Sequence, residues 1–437
     1  MIEEREKITG QIQIPADKVA QLQAEIINID VYKKEIEKFI ATNVTQLIEI
    51  VLAGAVFLDS SDIHIEPEEQ NAKLRLRLDG VLQDVLILNL KSYQTLLSRI
   101  KLLSGLKLNI SNRPQDGRFT ILMGKIVVEI RSSTLPAQHG ESIVLRLLNP
   151  KSLIEIEALG LRKDLIDLFK KEIKKPNGMI IITGPTGSGK TTTLYAILKK
   201  INKPDVKIIT IEDPIEYQLE GLSQTQVDPS KGYTFGSGLK SIMRQDPDVI
   251  LVGEVRDLET AEIALQAALT GHLVFSTLHT NDAAGAVARL EDLGIRPVSI
   301  APAINMIVAQ RLPRKVCQKC VKMVKPPQDV LDKIKRNLKN INKELLPASL
   351  LKDDFKIPQA QGCPACNLTG YKGRLGIFEA FLIDDEMEKF ILKSPAIAQM
   401  KELAIKKGMV LMYQDGLIKV LEGVTTLEEI ERVAMEE

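Results

Sequence analysis

The chain has 437 residues, which corresponds to about three domains by length, and 44% of them are hydrophobic, as in an ordinary globular protein. Its 58 Lys and Arg nearly cancel its 57 Asp and Glu, so no overall charge favours nucleic acid or an acidic polymer as a partner. The N-terminus is charged, and the longest apolar stretch, residues 50–58, is too short to span a bilayer. We therefore expect a cytoplasmic protein.

The N-terminal third predicts a helical segment followed by a small α+β domain. Residues 1–43 are rich in Glu, Lys, Gln and Ile with helical spacing and carry no visible chemistry, which favours an interaction helix, a linker or a frayed tail. Residues 44–58 have the apolar period of a helix, and residues 73–79 alternate leucines with outward arginines, as a half-buried strand does. Further strands are predicted at residues 119–123, 125–131 and 142–148. We place this domain at residues 44–150.

Residues 155–310 alternate apolar strands with helical stretches. The predicted strands are residues 179–183, 206–211, 249–252 and 273–278. This alternation is typical of an α/β domain, in which helices cover a mostly parallel sheet. The carboxyl ends of parallel strands meet at one edge of the sheet, and ligands bind there.

A phosphate-loop motif, G-x-x-x-x-G-K-[ST], follows the first of these strands. The candidate nucleotide-binding residues are Gly184, Pro185, Thr186, Gly187, Ser188, Gly189, Lys190, Thr191 and Thr192. Glycines let backbone N–H groups converge on a polyphosphate, and the positive end of the next helix faces the same anion. Lys190 is predicted to reach the β/γ-phosphates and Thr191 to ligate Mg²⁺. The alternative, a Gly-rich turn with an accidental lysine, is disfavoured by the strand before and the helical run after.

Acidic residues follow two of the other predicted strands. Glu212 comes after residues 206–211, and Glu254 comes after residues 249–252. An acidic residue at such a strand end can contact Mg²⁺ directly or through water, or polarise an attacking water. Solvated loop carboxylates are the alternative, which the neighbouring phosphate loop disfavours.

Two histidines, His272 and His279, flank the predicted strand at residues 273–278 and lack the H-x-x-x-H spacing of a helical metal site. A lone histidine is usually structural. The four histidines of this chain all lie in motif-like segments, however, which favours a role in sensing phosphate or a neighbouring subunit.

Four cysteines form two C-x-x-C pairs, Cys317 with Cys320 and Cys363 with Cys366. Four thiolates in two such pairs suit Zn²⁺ at a closed structural site, and the long connection between the pairs does not exclude a single site. Two unrelated pairs of reduced thiols are the alternative. A redox C-x-x-C is less favoured, because neither pair opens a helix after a strand.

Taken together, these segments resemble the secretion ATPases of the type II secretion and type IV pilus assembly family, from about Val44 to the C-terminus. Four signatures of that family occur in order: the phosphate loop at 184–191, an aspartate box at 210–217, a Walker B stretch at 246–257 and a histidine box at 269–281. The resemblance implies a RecA-like ATPase domain over residues 151–437 behind a small PAS-like α+β domain. That ATPase domain would contain a zinc insertion at 314–370 and a helical part at 380–437.

The resemblance also implies roles for individual residues. Lys190 would bind phosphate, Thr191 would hold Mg²⁺, Glu254 would activate water and Glu212 would assist at the metal. The Walker B strand ends in Gly-Glu rather than in an aspartate, so the direct Mg²⁺ ligand set stays open.

Arginines of the smaller domain reach the γ-phosphate in this family. Arg131 and Arg146, 15 positions apart, match their placement. A guanidinium there stabilises the charge of phosphoryl transfer. Exposed sheet arginines are the alternative, and Arg113 and Arg118 are weaker candidates.

The implied function is a motor that hydrolyses ATP with Mg²⁺ in a homohexameric ring and powers type IV pilus or type II pseudopilus assembly. Its implied partners are an inner-membrane platform protein and a cytoplasmic adaptor domain of a membrane protein, with peripheral association at the inner face of the cytoplasmic membrane. A DNA-uptake or nucleic-acid translocating motor is the first alternative, disfavoured by the near-neutral charge and the lack of an aromatic-basic strip. A pilus retraction ATPase is the second, disfavoured by the cysteine insertion. Because the N-terminal segment, residues 1–43, is short, the identity of the protein that binds this chain stays open.

Overall fold

The computed structural model describes residues 10–40, 43–149, 154–347 and 355–434. The chain divides into two compact units. The first contains Met1–Ser152, Cys317–Cys320 and Gln361–Lys372, and the second contains the remaining residues. Within the described ranges, no helix combines the length and the apolar character needed to cross a membrane.

The first unit is built on a seven-stranded sheet in the order β1-β5-β6-β7-β2-β3-β4. Its elements are β1 Gln11–Ile14, α1 Ala16–Glu25, α2 Ile29–Glu37, α3 Val44–Phe57, β2 Asp62–Pro67, β3 Asn71–Leu78, β4 Val81–Asn89, α4 Leu90–Leu103, β5 Gln115–Met123, β6 Ile126–Ala137 and β7 Gly140–Leu148. Strand β1 runs parallel to β5, whereas the other pairs are antiparallel.

Strict alternation along the strands gives this sheet one apolar and one polar face. On β3, Leu74 and Leu76 are fully buried, whereas Arg75 and Arg77 between and beside them are only partly buried. The apolar face packs in one core with α3 and α4. The predicted small α+β domain with outward basic residues is therefore confirmed.

Residues 10–40, the described part of the chain before Asn43, belong to this fold. The expected helices are found at Ala16–Glu25 and Ile29–Glu37, and the Tyr32 side chain of the second donates a buried 2.8 Å hydrogen bond to the Val51 carbonyl. The structure differs from the helical expectation at Gln11–Ile14, because this alternating Gln-Ile segment pairs with β5 at the edge of the sheet.

The second unit is built on another seven-stranded sheet in the order β10-β9-β11-β12-β8-β13-β18. The first six strands are parallel and β18 is antiparallel at the edge. The elements up to β13 are α5 Lys163–Glu172, β8 Gly178–Thr183, α6 Lys190–Ile201, β9 Ile208–Glu212, β10 Ser223–Gln226, α7 Phe235–Ile242, β11 Val249–Val252, α8 Leu258–Leu269, β12 Leu273–Leu278, α9 Gly285–Asp292, α10 Pro297–Ile300 and β13 Ile304–Arg311.

The rest of the chain contains short strands and a helical C-terminal part. Its elements are β14 Arg314–Val316, β15 Lys322–Val324, α11 Gln328–Leu338, β16 Ile357–Gln359, β17 Tyr371–Arg374, β18 Ile377–Leu382, α12 Asp385–Ile391, α13 Ile397–Lys406, α14 Met412–Leu421 and α15 Leu427–Ala434.

Helices cover both faces of the central strands of the second unit. Every residue of β8, β11 and β12 is buried, and successive residues point into two different apolar clusters. Ile181 lies in one cluster, and Ile180 and Ile182 lie in the other. Such uninterrupted apolar strands are typical of a parallel sheet. The predicted α/β domain and its helical C-terminal part are confirmed.

Candidate functional site

The phosphate loop connects the end of β8 to the start of α6, as its sequence predicts. Gly187 and Gly189 both have positive φ, at 80° and 86°, a conformation that costs other residues energy. Gly184 is needed for space, because a Cβ atom there would lie 2.6 Å from the Gln310 carbonyl oxygen. The loop backbone and the first turn of α6 therefore form an anion-binding geometry at the carboxyl edge of the sheet.

Lys190 is the first residue of α6 and is only 9% exposed. Its Nζ donates hydrogen bonds to the carbonyl oxygens of Gly184, at 2.7 Å, and Pro185, at 3.2 Å. Burial lowers the pKa of Lys190 to about 8, although the negative charge of Glu254 acts against this shift. The ammonium group thus lies over the loop that would hold a phosphate. Thr191 and Thr192 follow it in the first turn of α6.

Glu254 lies just beyond β11, at the same edge. Its carboxylate contacts the guanidinium of Arg256 and lies 3.5 Å from Nε2 of His279, which follows the neighbouring strand β12. Burial and the charge of Lys190 lower the pKa of His279, so the imidazole is held toward its neutral form. The structure therefore brings three of the predicted site residues, Lys190, Glu254 and His279, to one place.

Glu212 is the last residue of β9 and is 3% exposed. Its Oε1 accepts hydrogen bonds from Thr210, at 2.6 Å, and Gln224, at 3.3 Å, and its Oε2 accepts one from the Tyr195 hydroxyl. Burial raises the pKa of Glu212, against the opposing effect of these donors. Both carboxylate oxygens are therefore occupied by side chains of the same domain, and Glu212 is fixed at the sheet edge that carries the phosphate loop.

His272 lies at the other end of β12, about 23 Å from His279 for an extended strand of this length. Its Nδ1 is 3.1 Å from the Ala267 carbonyl, and its own carbonyl accepts from Gly178 at the start of β8. The structure therefore does not bring His272 to the phosphate-loop edge. A role toward a neighbouring subunit stays a prediction.

Arg131 and Arg146 lie on β6 and β7 of the first unit. They are directly opposite each other in the strand register, on the polar face of the sheet. Arg146 is exposed and pairs with Asp62, at 3.1 Å. Their action on a γ-phosphate stays a prediction.

The four cysteines come together in the first unit. All four Sγ atoms lie within 4.8 Å of one another, and the separations between Cys317 and Cys363, Cys320 and Cys366, and Cys363 and Cys366 are 3.9, 3.8 and 3.8 Å. Tetrahedral Zn²⁺ with bonds of about 2.3 Å needs sulfur–sulfur distances of about 3.8 Å. No cysteine is in a disulfide. The donor set and its spacing therefore fit a zinc ion.

Two residues of the site were missed by the sequence reasoning. Arg256 follows Glu254 by two positions and contacts its carboxylate. An acidic and a basic residue two positions apart, just after a predicted strand, are the sequence signal that could have identified Arg256. Tyr195, on α6, also accepts a 3.3 Å hydrogen bond from the Glu216 backbone and so links the phosphate-loop helix to the aspartate box. No local sequence pattern predicts the contacts of Tyr195, because α6 and β9 are brought together only by the tertiary fold.

Comparison with curated proteins gives close relatives over most of the chain. The type II secretion system ATPase E of Vibrio cholerae is 45% identical over 394 residues, which are 90% of this chain and 76% of the relative. The type IV pilus assembly ATPase PilB of Thermus thermophilus is 45% identical over 386 residues, or 88% of this chain. The chain spans only 42% of the length of that PilB protein.

Among solved structures, the pilus retraction motor PilT with bound ADP has a TM-score of 0.58 and 26% identity, covering 88% of this chain and 96% of the motor. The model of the family described as type II/IV secretion system protein matches residues 38–432. These matches confirm the predicted secretion ATPase. The chain belongs to the type II/IV secretion system protein family.

Proposed function

We propose that this chain hydrolyses ATP with Mg²⁺ as a subunit of a homohexameric ring that powers type IV pilus or type II pseudopilus assembly. The observation that carries the proposal is the meeting of Lys190, Glu254 and His279 at the carboxyl edge of a parallel sheet, beside a glycine-shaped phosphate loop. Phosphoryl transfer requires mainly positioning and charge stabilisation, and this edge offers both.

The phosphate loop would hold the triphosphate through the backbone N–H groups of Gly184 and residues 186–189, since Pro185 has no N–H to donate. Lys190 would leave the carbonyls of Gly184 and Pro185 for β/γ-phosphate oxygens, because these carry the greater negative charge. Binding of phosphate would then hold Lys190 in its charged form, against the effect of burial.

Oxygen donors at this edge suit Mg²⁺, which prefers hydroxyl, carboxylate and water ligands. Thr191 would hold the ion, and Glu212, whose oxygens are already hydrogen-bonded, would act on it through water. Bound Mg²⁺ neutralises charge on the phosphate oxygens. The carboxylate of Glu254 would orient the attacking water and take its proton. His279, held near neutrality beside Glu254, would sense the γ-phosphate.

Arg131 and Arg146 would donate guanidinium hydrogen bonds to the γ-phosphate of a nucleotide bound in the ring, as the family resemblance implies. Each nucleotide site would then need residues that a phosphate-loop domain does not itself contain. Hydrolysis would depend on assembly, and nucleotide turnover would be converted into domain movement.

The four cysteines would hold a structural Zn²⁺ ion. The family relatives include a type II secretion ATPase and a pilus assembly ATPase, which supports assembly as the output rather than retraction. We place the protein at the inner face of the cytoplasmic membrane, with an inner-membrane platform protein as partner, a cytoplasmic adaptor domain as a further candidate, and no nucleic-acid partner.

The test is phosphate release by the purified chain with Mg²⁺ and ATP, with Lys190→Ala as the inactive reference. Adding the cytoplasmic domain of the platform protein should raise turnover, and adding single- or double-stranded DNA should not. Stimulation by DNA alone would contradict the proposed output and favour a nucleic-acid motor.

A further inference from the structure

A row of charged side chains crosses the polar face of the first unit's sheet. Strand register places Arg118 opposite Arg131, Arg131 opposite Arg146, Arg146 opposite Asp62 and Asp62 opposite Arg77. Paired residues of neighbouring strands share a face, so all five lie on one line over β5, β6, β7, β2 and β3. With strands about 4.8 Å apart, the row is about 19 Å long. It contains four cations and a single anion.

The carboxylate of Asp62, near one end of this row, is buried and held by several donors. Its side chain is only 6% exposed, and each carboxylate oxygen binds a different arginine. Oδ1 accepts from Nε of Arg146 at 3.1 Å, and Oδ2 lies 3.3 Å from Nε of Arg77. The hydroxyl of Ser61 donates to Oδ2 at 2.8 Å. The carboxylate is therefore held by three donors and cannot turn freely.

The two arginines that Asp62 binds differ in whether their Nη groups are hydrogen-bonded to other parts of the chain. Arg77 also donates from Nη1 to the Gly80 carbonyl at 3.2 Å, so it is tied to its own hairpin. Arg146 is 56% exposed and bonds only through Nε within the part of the chain that the structure describes. Its two Nη groups are thus available for a bidentate contact with an anion, the geometry in which guanidinium binds phosphate best.

We infer that Asp62 is a positioning residue for hydrolysis: it holds Arg146 by Nε so that both Nη groups face the γ-phosphate. This inference rests on the proposed function, in which Arg146 acts on that phosphate. Arg131 stands directly opposite Arg146, so the two positive side chains repel each other. The Asp62 carboxylate offsets this repulsion from the other side and removes the rotational freedom that a long exposed arginine would otherwise keep.

The test compares Asp62→Asn with a matched control. Asparagine keeps the size but loses the charge and one acceptor, so Arg146 is released while ATP binding at the phosphate loop is untouched. We expect kcat to fall about 10- to 100-fold, the loss that slight misplacement of a reacting group produces, with an unchanged KM for ATP. The matched control is Asp84→Asn. Asp84 accepts a 2.9 Å hydrogen bond from Nε of Arg75, two residues before Arg77 on β3, and its replacement should leave kcat unchanged.

Two further variants separate positioning from folding and from the proposed function. Asp62→Glu keeps a carboxylate within reach of Arg146 and should recover most of the lost kcat. In an Arg146→Ala background, Asp62→Asn should cause no further loss. A full and independent loss there, or an equal kcat for the folded Asp62→Asn and wild-type proteins while Arg146→Ala is impaired, would overturn the positioning role alone. A fully active Arg146→Ala protein would instead overturn the proposed action of Arg146, and the inference with it.

Discussion

Replacing Glu254 by glutamine tests the proposed catalytic carboxylate with the smallest change in shape. The Glu254 side chain is 14% exposed and contacts Arg256 and His279. Glutamine keeps the volume and one carbonyl oxygen for Arg256, so the fold should be unchanged. It cannot take a proton from water, however, and the reaction loses its general base.

The expected loss follows from that missing proton acceptor. General base catalysis is typically worth about 10²- to 10⁴-fold in rate, which corresponds to roughly 2.7–5.5 kcal/mol in the activation barrier. ATP affinity should stay equal or rise, because Glu254→Gln removes a negative charge beside the site of the phosphates. The variant should therefore retain nucleotide without turning it over.

The assay measures phosphate release and the binding of a fluorescent ATP analogue for wild type and Glu254→Gln. The matched control is Glu259→Gln on α8, which removes an exposed 2.6 Å ion pair with Lys240 and should keep wild-type turnover. Turnover of Glu254→Gln above half the wild-type value, at equal ATP occupancy, would refute the assignment of Glu254 as the base.

Three predictions concern stability. Burial acts to raise the pKa of Glu429, but hydrogen bonds from Arg432 and Arg314 lower it to about 2. Since this folded pKa lies below the unfolded value, the carboxylate stabilises the fold by about 3 kcal/mol above pH 4.5, and this contribution is lost as pH falls toward 2. In urea unfolding, the loss of unfolding free energy caused by Glu429→Gln should therefore be largest at pH 7 and smaller at pH 3. A loss that does not change with pH would contradict this. Tyr195→Phe removes a hydrogen-bond donor from the buried Glu212 and should lower the free energy of unfolding by about 1–3 kcal/mol in the same assay. An unchanged free energy of unfolding would mean that the hydrogen bond from Tyr195 to Glu212 is not made in solution. A strong chelator should release one zinc ion per chain and lower Tm by about 5 °C or more, and an unchanged Tm would remove the structural zinc site.

Local sequence patterns were sufficient for the elements that carry the phosphate loop. The apolar run at residues 179–183, the glycines of the motif and the helical run after Lys190 are all consecutive, so one short segment specified the strand, the loop and the helix. The positions of Glu212 and Glu254 at strand ends followed from the same reasoning, because parallel strands share their carboxyl edge.

Features that depend on long-range contacts could not be predicted in this way. Strand β1 reads as part of a helical segment and becomes a strand only because β5 offers an edge about a hundred residues later. The contact of Asp62 with Arg146 requires a register between β2 and β7 that no local period specifies.

The most direct test of the proposed mechanism is ATP turnover per chain measured across a range of protein concentrations, with the assembly state of each sample determined in parallel. Because the γ-phosphate would need arginines in addition to the phosphate-loop domain, turnover per chain should rise steeply as rings form. Arg131→Ala should assemble normally but stay at the low rate of the dilute protein. Equal turnover per chain in dilute monomer and in assembled ring would contradict the account.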